Sequence, residues 1–142
     1  MDMFRALQIS ASGMTAQRTR MDVVSENLAN TDTTVTASGR PYQRKVVLLR
    51  AADGAFGDAL RAAGTPEGAV TVGGIVETDE APRRVHQPGH PQADKDGFVN
   101  MPSINPLREM LDMMTSTRAY EANATAFQAT KSMSTKLLEL LR

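Results

Sequence analysis

Glycine and proline are confined to the middle of this sequence. Of its 10 glycines and 7 prolines, all but Gly13 fall between Gly39 and Pro106. In a helix interior glycine costs about 1 kcal/mol and proline about 3 kcal/mol relative to alanine. Two long ends are therefore free to be helical, whereas the middle is driven into turns and short extended pieces. The distribution predicts an α+β chain: long N- and C-terminal α-helices packing as a coiled-coil-like pair, with a small antiparallel β-rich middle domain. The boundaries that follow are 1–30 for the first helix, 31–103 for the middle domain and 104–142 for the second helix.

Within the first end, Leu7, Met14, Met21 and Leu28 recur every seven residues, with Phe4, Ala11 and Val24 three or four positions away. That spacing puts one apolar stripe on a helix and suits coiled-coil packing. Arg18 and Ser25 interrupt it. Asp2 is a suitable N-cap, and Asn30 a residue able to end the helix in the left-handed conformation. In the second end, Asn105-Pro106 supplies a cap followed by proline at the first helical position. Met110, Met113, Thr117, Tyr120, Ala124, Phe127, Leu138 and Leu141 then follow three- and four-residue steps, broken near the middle by Lys131 and Ser134.

The middle holds candidate strands at 42–49, 69–72, 75–77, 84–86 and 98–101, with Gly73-Gly74 dividing the second from the third. Short β-rich runs separated by turn residues suggest a small antiparallel sheet. From Ala51 to Gly68 the chain is rich in alanine and glycine and reads as a flexible loop.

Composition narrows the function. Lys+Arg and Asp+Glu both number 16, so the formal net charge is +0. With no basic run, nothing supports a nucleic-acid partner. Cysteine is absent, which removes disulfides, thiol chemistry and Cys-bound zinc. No apolar run is long enough to cross a bilayer, no lipid anchor is expected, and the first residues lack the pattern of a cleaved export leader. No nucleophile elbow, phosphate loop or dinucleotide fingerprint occurs, so neither catalytic residues nor a cofactor are predicted. One alternative is a small metal- or anion-binding domain in which His86 and His90, close in sequence to Asp94 and Asp96, act as ligands. The same residues also suit an ordinary Pro-Gly loop with a polar turn.

The apolar stripes speak more strongly. Burying a large apolar side chain stabilises by roughly 1.5–3 kcal/mol, against about 1–2 kcal/mol of backbone entropy for each residue ordered. A two-helix pair leaves much of its apolar surface wet, and the middle is too small to cover it. The stripes are therefore expected to be subunit interfaces: Leu7, Met14, Met21 and Leu28 on the first helix, and Met113, Tyr120, Phe127 and Leu138 on the second. The chain contains 9 methionines against 4% aromatic residues, and methionine repacks at modest cost against different partners.

The motifs add a resemblance. Asn27-Leu28-Ala29-Asn30, at the end of the heptad helix and preceded by Ala11, Gly13, Met14 and Ala16, resembles the signature of flagellar rod and hook axial proteins. Tyr42 with the strand after it is similar to the proximal-rod members of that family. So is Pro88-Gly89-His90-Pro91, followed by Ala93, Asp94, Gly97-Phe98-Val99 and Met101-Pro102. The stretch from Glu109 to Lys136 matches as well, with Met110, Ser116, Arg118, Tyr120, Asn123 and Lys131-Ser132-Met133 in place. The resemblance implies a structural, non-enzymatic subunit of the bacterial flagellar basal-body rod, a drive shaft in the periplasmic space. Its terminal helices would line an export channel, with the middle domain outside. Its implied partners are other copies of itself, other flagellar rod proteins and the flagellar export apparatus, with export through the flagellar type III system and no cleaved signal peptide. Asn27 and Asn30 are expected to hold backbone at the helix end, or to make an inter-subunit hydrogen bond.

Overall fold

The structure, a computed structural model, describes residues 3–52 and 68–140. Most of the Ala/Gly-rich segment, together with Asp2 and Leu141, lies outside the described residues. Helix α1 spans Met3–Ala29, β1 Lys45–Ala51, β2 Val70–Glu77, β3 Arg83–His86 and β4 Phe98–Met101, and α2 closes the order at Pro106–Leu140.

The helix ends are made by side chains. Asn105 Oδ1 accepts the Leu107 N–H at 3.0 Å, so asparagine caps α2 and Pro106 occupies the first position, where its missing N–H costs nothing. At the end of α1, Asn30 departs from the expected left-handed conformation. Among the described residues only glycines have positive φ. Asn30 instead turns its amide back, Nδ2 donating to Glu26 O at 2.9 Å, while Thr31 Oγ1 donates to Leu28 O at 2.8 Å. These side-chain bonds add to the backbone ones from Asn30 N–H to Glu26 O at 3.1 Å and Thr31 N–H to Leu28 O at 3.4 Å, so the last turn is closed without glycine.

The strands form two separate two-stranded antiparallel ladders, β1–β2 and β3–β4. The expected division at Gly73-Gly74 is absent, because β2 runs through both glycines. The register passes from Leu48↔Gly74 to Leu49↔Val72, so Gly73 is the extra residue of a β-bulge. A Cβ on Gly73 would stand 3.0 Å from Arg50 Cδ, and that close approach suits glycine. The second ladder pairs Arg83↔Met101 through His86↔Phe98.

The two helices run antiparallel. Glu109 meets Asn27, Thr117 Oγ1 donates to Met21 Sδ at 3.4 Å, and Ser134 Oγ donates to Met3 Sδ at 2.8 Å. Gly13 allows their close approach, since a Cβ there would lie 2.9 Å from Asn123 Nδ2. The core runs along the pair from the Asn27 end to beyond the middle of α1: Ala16, Val23 and Val24 are buried along with Tyr42, Ala69, Val99, Met101 and Ile104 of the middle region, and Val70 N–H donates to Ser12 Oγ at 3.1 Å. No described helix is long and apolar enough to cross a membrane.

Candidate functional site

Two features of the helical pair stand out: a polar junction buried at one end, and apolar faces left uncovered along the rest. The junction is built on Asn27, in the last turn of α1. With 0% of its surface exposed, Asn27 uses all of its hydrogen-bonding capacity. Oδ1 accepts the Lys45 N–H at 2.9 Å and the Tyr42 hydroxyl at 3.1 Å. Nδ2 donates to Lys45 O at 2.9 Å and to Glu109 Oε2 at 3.0 Å. The side chain thus pairs with the first residue of β1 as a neighbouring strand would, and also holds the first turn of α2.

Glu109, also 0% exposed, accepts Arg44 Nε at 2.6 Å through its second oxygen. Its place in the first turn favours negative charge, because the helix dipole is positive there. Arg44 Nη2 lies 3.4 Å from Asp112 Oδ2, and Arg20 Nη2 lies 3.6 Å from Asp112 Oδ1. Lys45 Nζ pairs with Glu26 at 2.5 Å and sits 5.6 Å from the Tyr42 ring centroid. Burial, reinforced by the negative charges of Glu26, Glu77 and Glu109, pushes the Tyr42 hydroxyl up to about 12. Buried polar groups with complete partner sets favour one geometry, since any displacement leaves a charge or donor unpaired. This junction therefore fixes how the middle region is seated on the helices.

The apolar stripes take a different position from a simple seam. In α1 the buried residues are Ala16, Val23, Val24 and Asn27. Leu7, Met14, Met21 and Leu28 are only half-buried, on the flank of the helix contact. In α2 the covered residues step through Glu109, Met113, Ser116, Asn123, Phe127, Thr130 and Ser134, a heptad-like pattern in which five of the seven are polar. Met113 and Phe127 are half-buried, Tyr120 is 36% exposed and Leu138 69% exposed. Arg18, Ser25 and Lys131 are outward-facing rather than interruptions of the intrachain seam, whereas Ser134 is half-buried against Met3. The sequence reading missed Glu109, Arg44 and Asp112 as organising groups. Apolar periodicity contains no signal for a buried carboxylate; the only hint was an acidic residue in the first turn after an Asn-Pro start.

The His86/His90 loop is organised by local bonds. Asp94 Oδ1 accepts the N–H groups of Asp96 and Phe98 at 3.0 and 2.8 Å, and Arg84 Nη2 donates to Asp94 Oδ2 at 2.8 Å. These bonds, the Phe98 N–H foremost, hold the Asp94 carboxyl below its usual range. Gly97 adopts φ +77°, and a Cβ there would crowd His86 Nε2 at 3.1 Å and Pro88 Cβ at 3.2 Å. The His86 ring packs edge-on against Phe98 at 5.1 Å, while His90 Nδ1 accepts the Gln92 N–H at 3.2 Å. Among the described residues no three His, Asp or Glu side chains come together in a way that could hold a metal. The metal-ligand reading of this loop is therefore not supported.

Residues 7–35 match the family model described as flagella basal body rod protein, and residues 95–140 match that of the flagellar basal body rod FlgEFG protein C-terminal. The chain is 45% identical over 148 residues to the flagellar basal-body rod protein FlgC of Bacillus subtilis (strain 168), covering 99% of both chains. It is 36% identical to that of Borreliella burgdorferi, covering 100% of this chain and 99% of the relative. The chain belongs to the FlgC family of flagellar basal-body rod proteins. It is also 38% identical to the FlgC protein of Aquifex aeolicus (strain VF5), over 98% of this chain and 97% of that one.

Within this rod family, the motif residues acquire physical roles in the present chain. Asn27 joins three elements, and Leu28 is half-buried on the flank of the helix contact. Ala29 is exposed at the last position of α1, and Asn30 closes the helix. Pro88, Gly89, His90 and Pro91 begin the β3–β4 connection, whose return depends on Gly97 and Asp94. The function is that of a structural subunit of the rod.

Proposed function

We propose that this chain polymerises through the uncovered flanks of its terminal helices, forming part of the drive shaft and of the wall around the export channel. The observation that carries this reading is the half-burial of the heptad residues. Leu7, Met14, Met21 and Leu28 are only half-buried in the single chain, Met21 Sδ accepting from Thr117 of α2, so the same side chains remain available to a neighbouring helix. Met113, Tyr120, Phe127 and Leu138 are the matching residues on α2. Partners are other copies of this chain and other rod proteins, reached after export through the flagellar type III apparatus into the periplasmic space. The work is mechanical, without catalysis. The buried Asn27–Glu109 junction serves it by keeping the middle region at a set angle while the helices bear load.

Met14→Asp and Phe127→Asp place a charge on the helix flanks. Complementation of a strain lacking the gene with either variant is expected to abolish swimming and rod assembly, while the variant chain is still secreted. Swimming at the normal rate in both would overturn the proposal.

A further inference from the structure

The two helices present different faces to solvent. On α2, Leu107, Leu111, Met114, Arg118 and Glu121 follow one another at steps of four and three, so they share one outward stripe. Its apolar members are 67%, 56% and 58% exposed, and Arg118 and Glu121 are exposed beside them. Large apolar side chains uncovered over neighbouring turns mark an interaction surface. On α1, Arg18, Asp22, Ser25 and Ala29 form an outward stripe of the same spacing, all of them exposed. Arg18, Asp22, Arg118 and Glu121 have no ion-pair partner among the described residues.

We propose that the outward stripe of α2 packs on the outward stripe of α1 of a second copy lying alongside in the same direction, a contact that deepens the rod reading and rests on it. Inside one chain the helices are antiparallel, with Met21 facing Thr117 and Asn27 facing Glu109. Copies placed side by side in one direction therefore also bring α2 antiparallel to the neighbouring α1. A shift of about two residues from the internal register, roughly 3 Å along the axis, sets Asp22 against Arg118 and Arg18 against Glu121 of the second copy. The same shift sets Ser25 against Met114 and Ala29 against Leu111. Each charge meets its opposite, and each large apolar side chain meets a small residue, which lets the helices approach closely. At the far end Phe4, 80% exposed, comes opposite Thr135, again large against small.

Other pairings of these stripes serve worse. Two α2 stripes running in one direction put Arg118 on Arg118. Set antiparallel about Leu111 and Met114, they put Arg118 on Leu107 and give it no carboxylate. Two α1 stripes leave Leu107, Leu111 and Met114 uncovered. The mixed contact uses a different surface on each copy, so it is heterologous and propagates instead of closing as a dimer.

The absence of cysteine makes the test direct, because any thiols introduced are the sole ones. A chain carrying both Ser25→Cys and Met114→Cys is produced in a strain lacking the gene, and the cells are treated with a short bis-maleimide. Denaturing gels are expected to show a ladder of covalent dimers, trimers and longer products, with none from either single variant. Adding Arg18→Glu should weaken the ladder about fivefold, since repulsion replaces an ion pair at every contact. Adding Glu121→Arg to that same chain should restore it. Swimming of the cysteine-free chains is expected to follow the same order, each reversal alone slowing it and the pair restoring it. Circular dichroism is expected to be unchanged, because both reversed residues are exposed. Absence of the ladder, dimers from a single-cysteine chain, or no restoration by Glu121→Arg would each overturn the contact. Absence of the ladder in cells that swim normally removes this contact and leaves the rod reading intact, whereas normal swimming with Met14→Asp and Phe127→Asp removes that reading.

Discussion

The two ends of the helical pair reverse the usual placement of side chains. At the junction, Asn27, Glu109 and Ser116 are fully buried; at the tip, Phe4 and Leu138 face solvent. Polar groups are inside where the chain must hold a single internal geometry, because hydrogen bonds and charge pairs are directional and a slip leaves one unpaired. Apolar groups are outside where the chain awaits partners, because apolar contact is non-directional and tolerates more than one neighbour. A rod subunit needs both properties, and the structure keeps them apart: directional polar contacts inside the junction, exposed apolar residues on the outer surface at the tip and on the first turns of α2.

The contrast breaks most completely at Asn27. Asn27→Asp removes both amide donations and sets a second carboxylate against Glu109 in a buried site. The expected cost is about 3–5 kcal/mol, the range for an uncompensated buried charge, read as a lower urea midpoint. If Asn27→Asp unfolds no more easily than the parent, the junction is not the lock described above. Phe4→Ala, by comparison, is expected to leave the midpoint of the single chain unchanged.

Gly13 tests the helix contact between the two ends. Gly13→Val must push Asn123 aside and is expected to cost about 1–3 kcal/mol, as overpacked sites do. Combining it with Asn123→Ala should recover part of that loss. Strict additivity of the two changes in thermal unfolding would show that the close approach carries no coupling.

Tyr42 sharpens the account of the junction. Its pKa is raised to about 12 in the folded chain from an ordinary value near 10, so the neutral hydroxyl is the form that folding favours. This contribution is complete below pH 10 and is lost as pH rises through 12, about 2 kcal/mol in all. Tyr42→Phe should remove that alkaline decline while costing about 1 kcal/mol at neutral pH through the lost hydrogen bond to Asn27. An unaltered alkaline limb in the variant would place its origin elsewhere.

The smallest expected effect lies outside both ends, at Asp94. The lowered pKa of this carboxyl means its support is present above the ordinary carboxylate range and is lost as pH falls through the folded value. Asp94→Asn is expected to quicken amide exchange at Asp96 and Phe98 while leaving the global unfolding midpoint in place. Unchanged exchange at both amides would show that the β3–β4 connection does not depend on the carboxylate.

Much of this arrangement was legible from residue order. The confinement of glycine and proline located α1 and α2 to within a residue or two, and Asn105-Pro106 marked the start of α2 because capping is a matter between near neighbours. The β3 and β4 segments were also legible, as short β-rich runs bracketing a Pro-Gly loop. Gly73-Gly74 misled: whether two glycines end a strand or form a bulge depends on the opposing strand, which local sequence does not describe. The stripes carry a related limit, since they do not say which contacts lie within one chain. Apolar periodicity marks Met14, Met21, Met110 and Phe127 as one kind of residue, yet the intrachain contact is centred on Gly13, Ala16, Asn27, Glu109 and Ser116.

What the sequence by itself determined is thus the set of elements and their lengths, since helix formation, capping and tight turns depend on residues a few positions apart. The tertiary structure alone decided which face of each helix turned inward and which polar residues were buried. That choice depends on groups far apart in the chain, as when Asn27, Lys45 and Glu109 complete one another's hydrogen bonds across 82 positions. A buried amide or carboxylate is tolerable only when all of its partners arrive together, and no single segment can specify them.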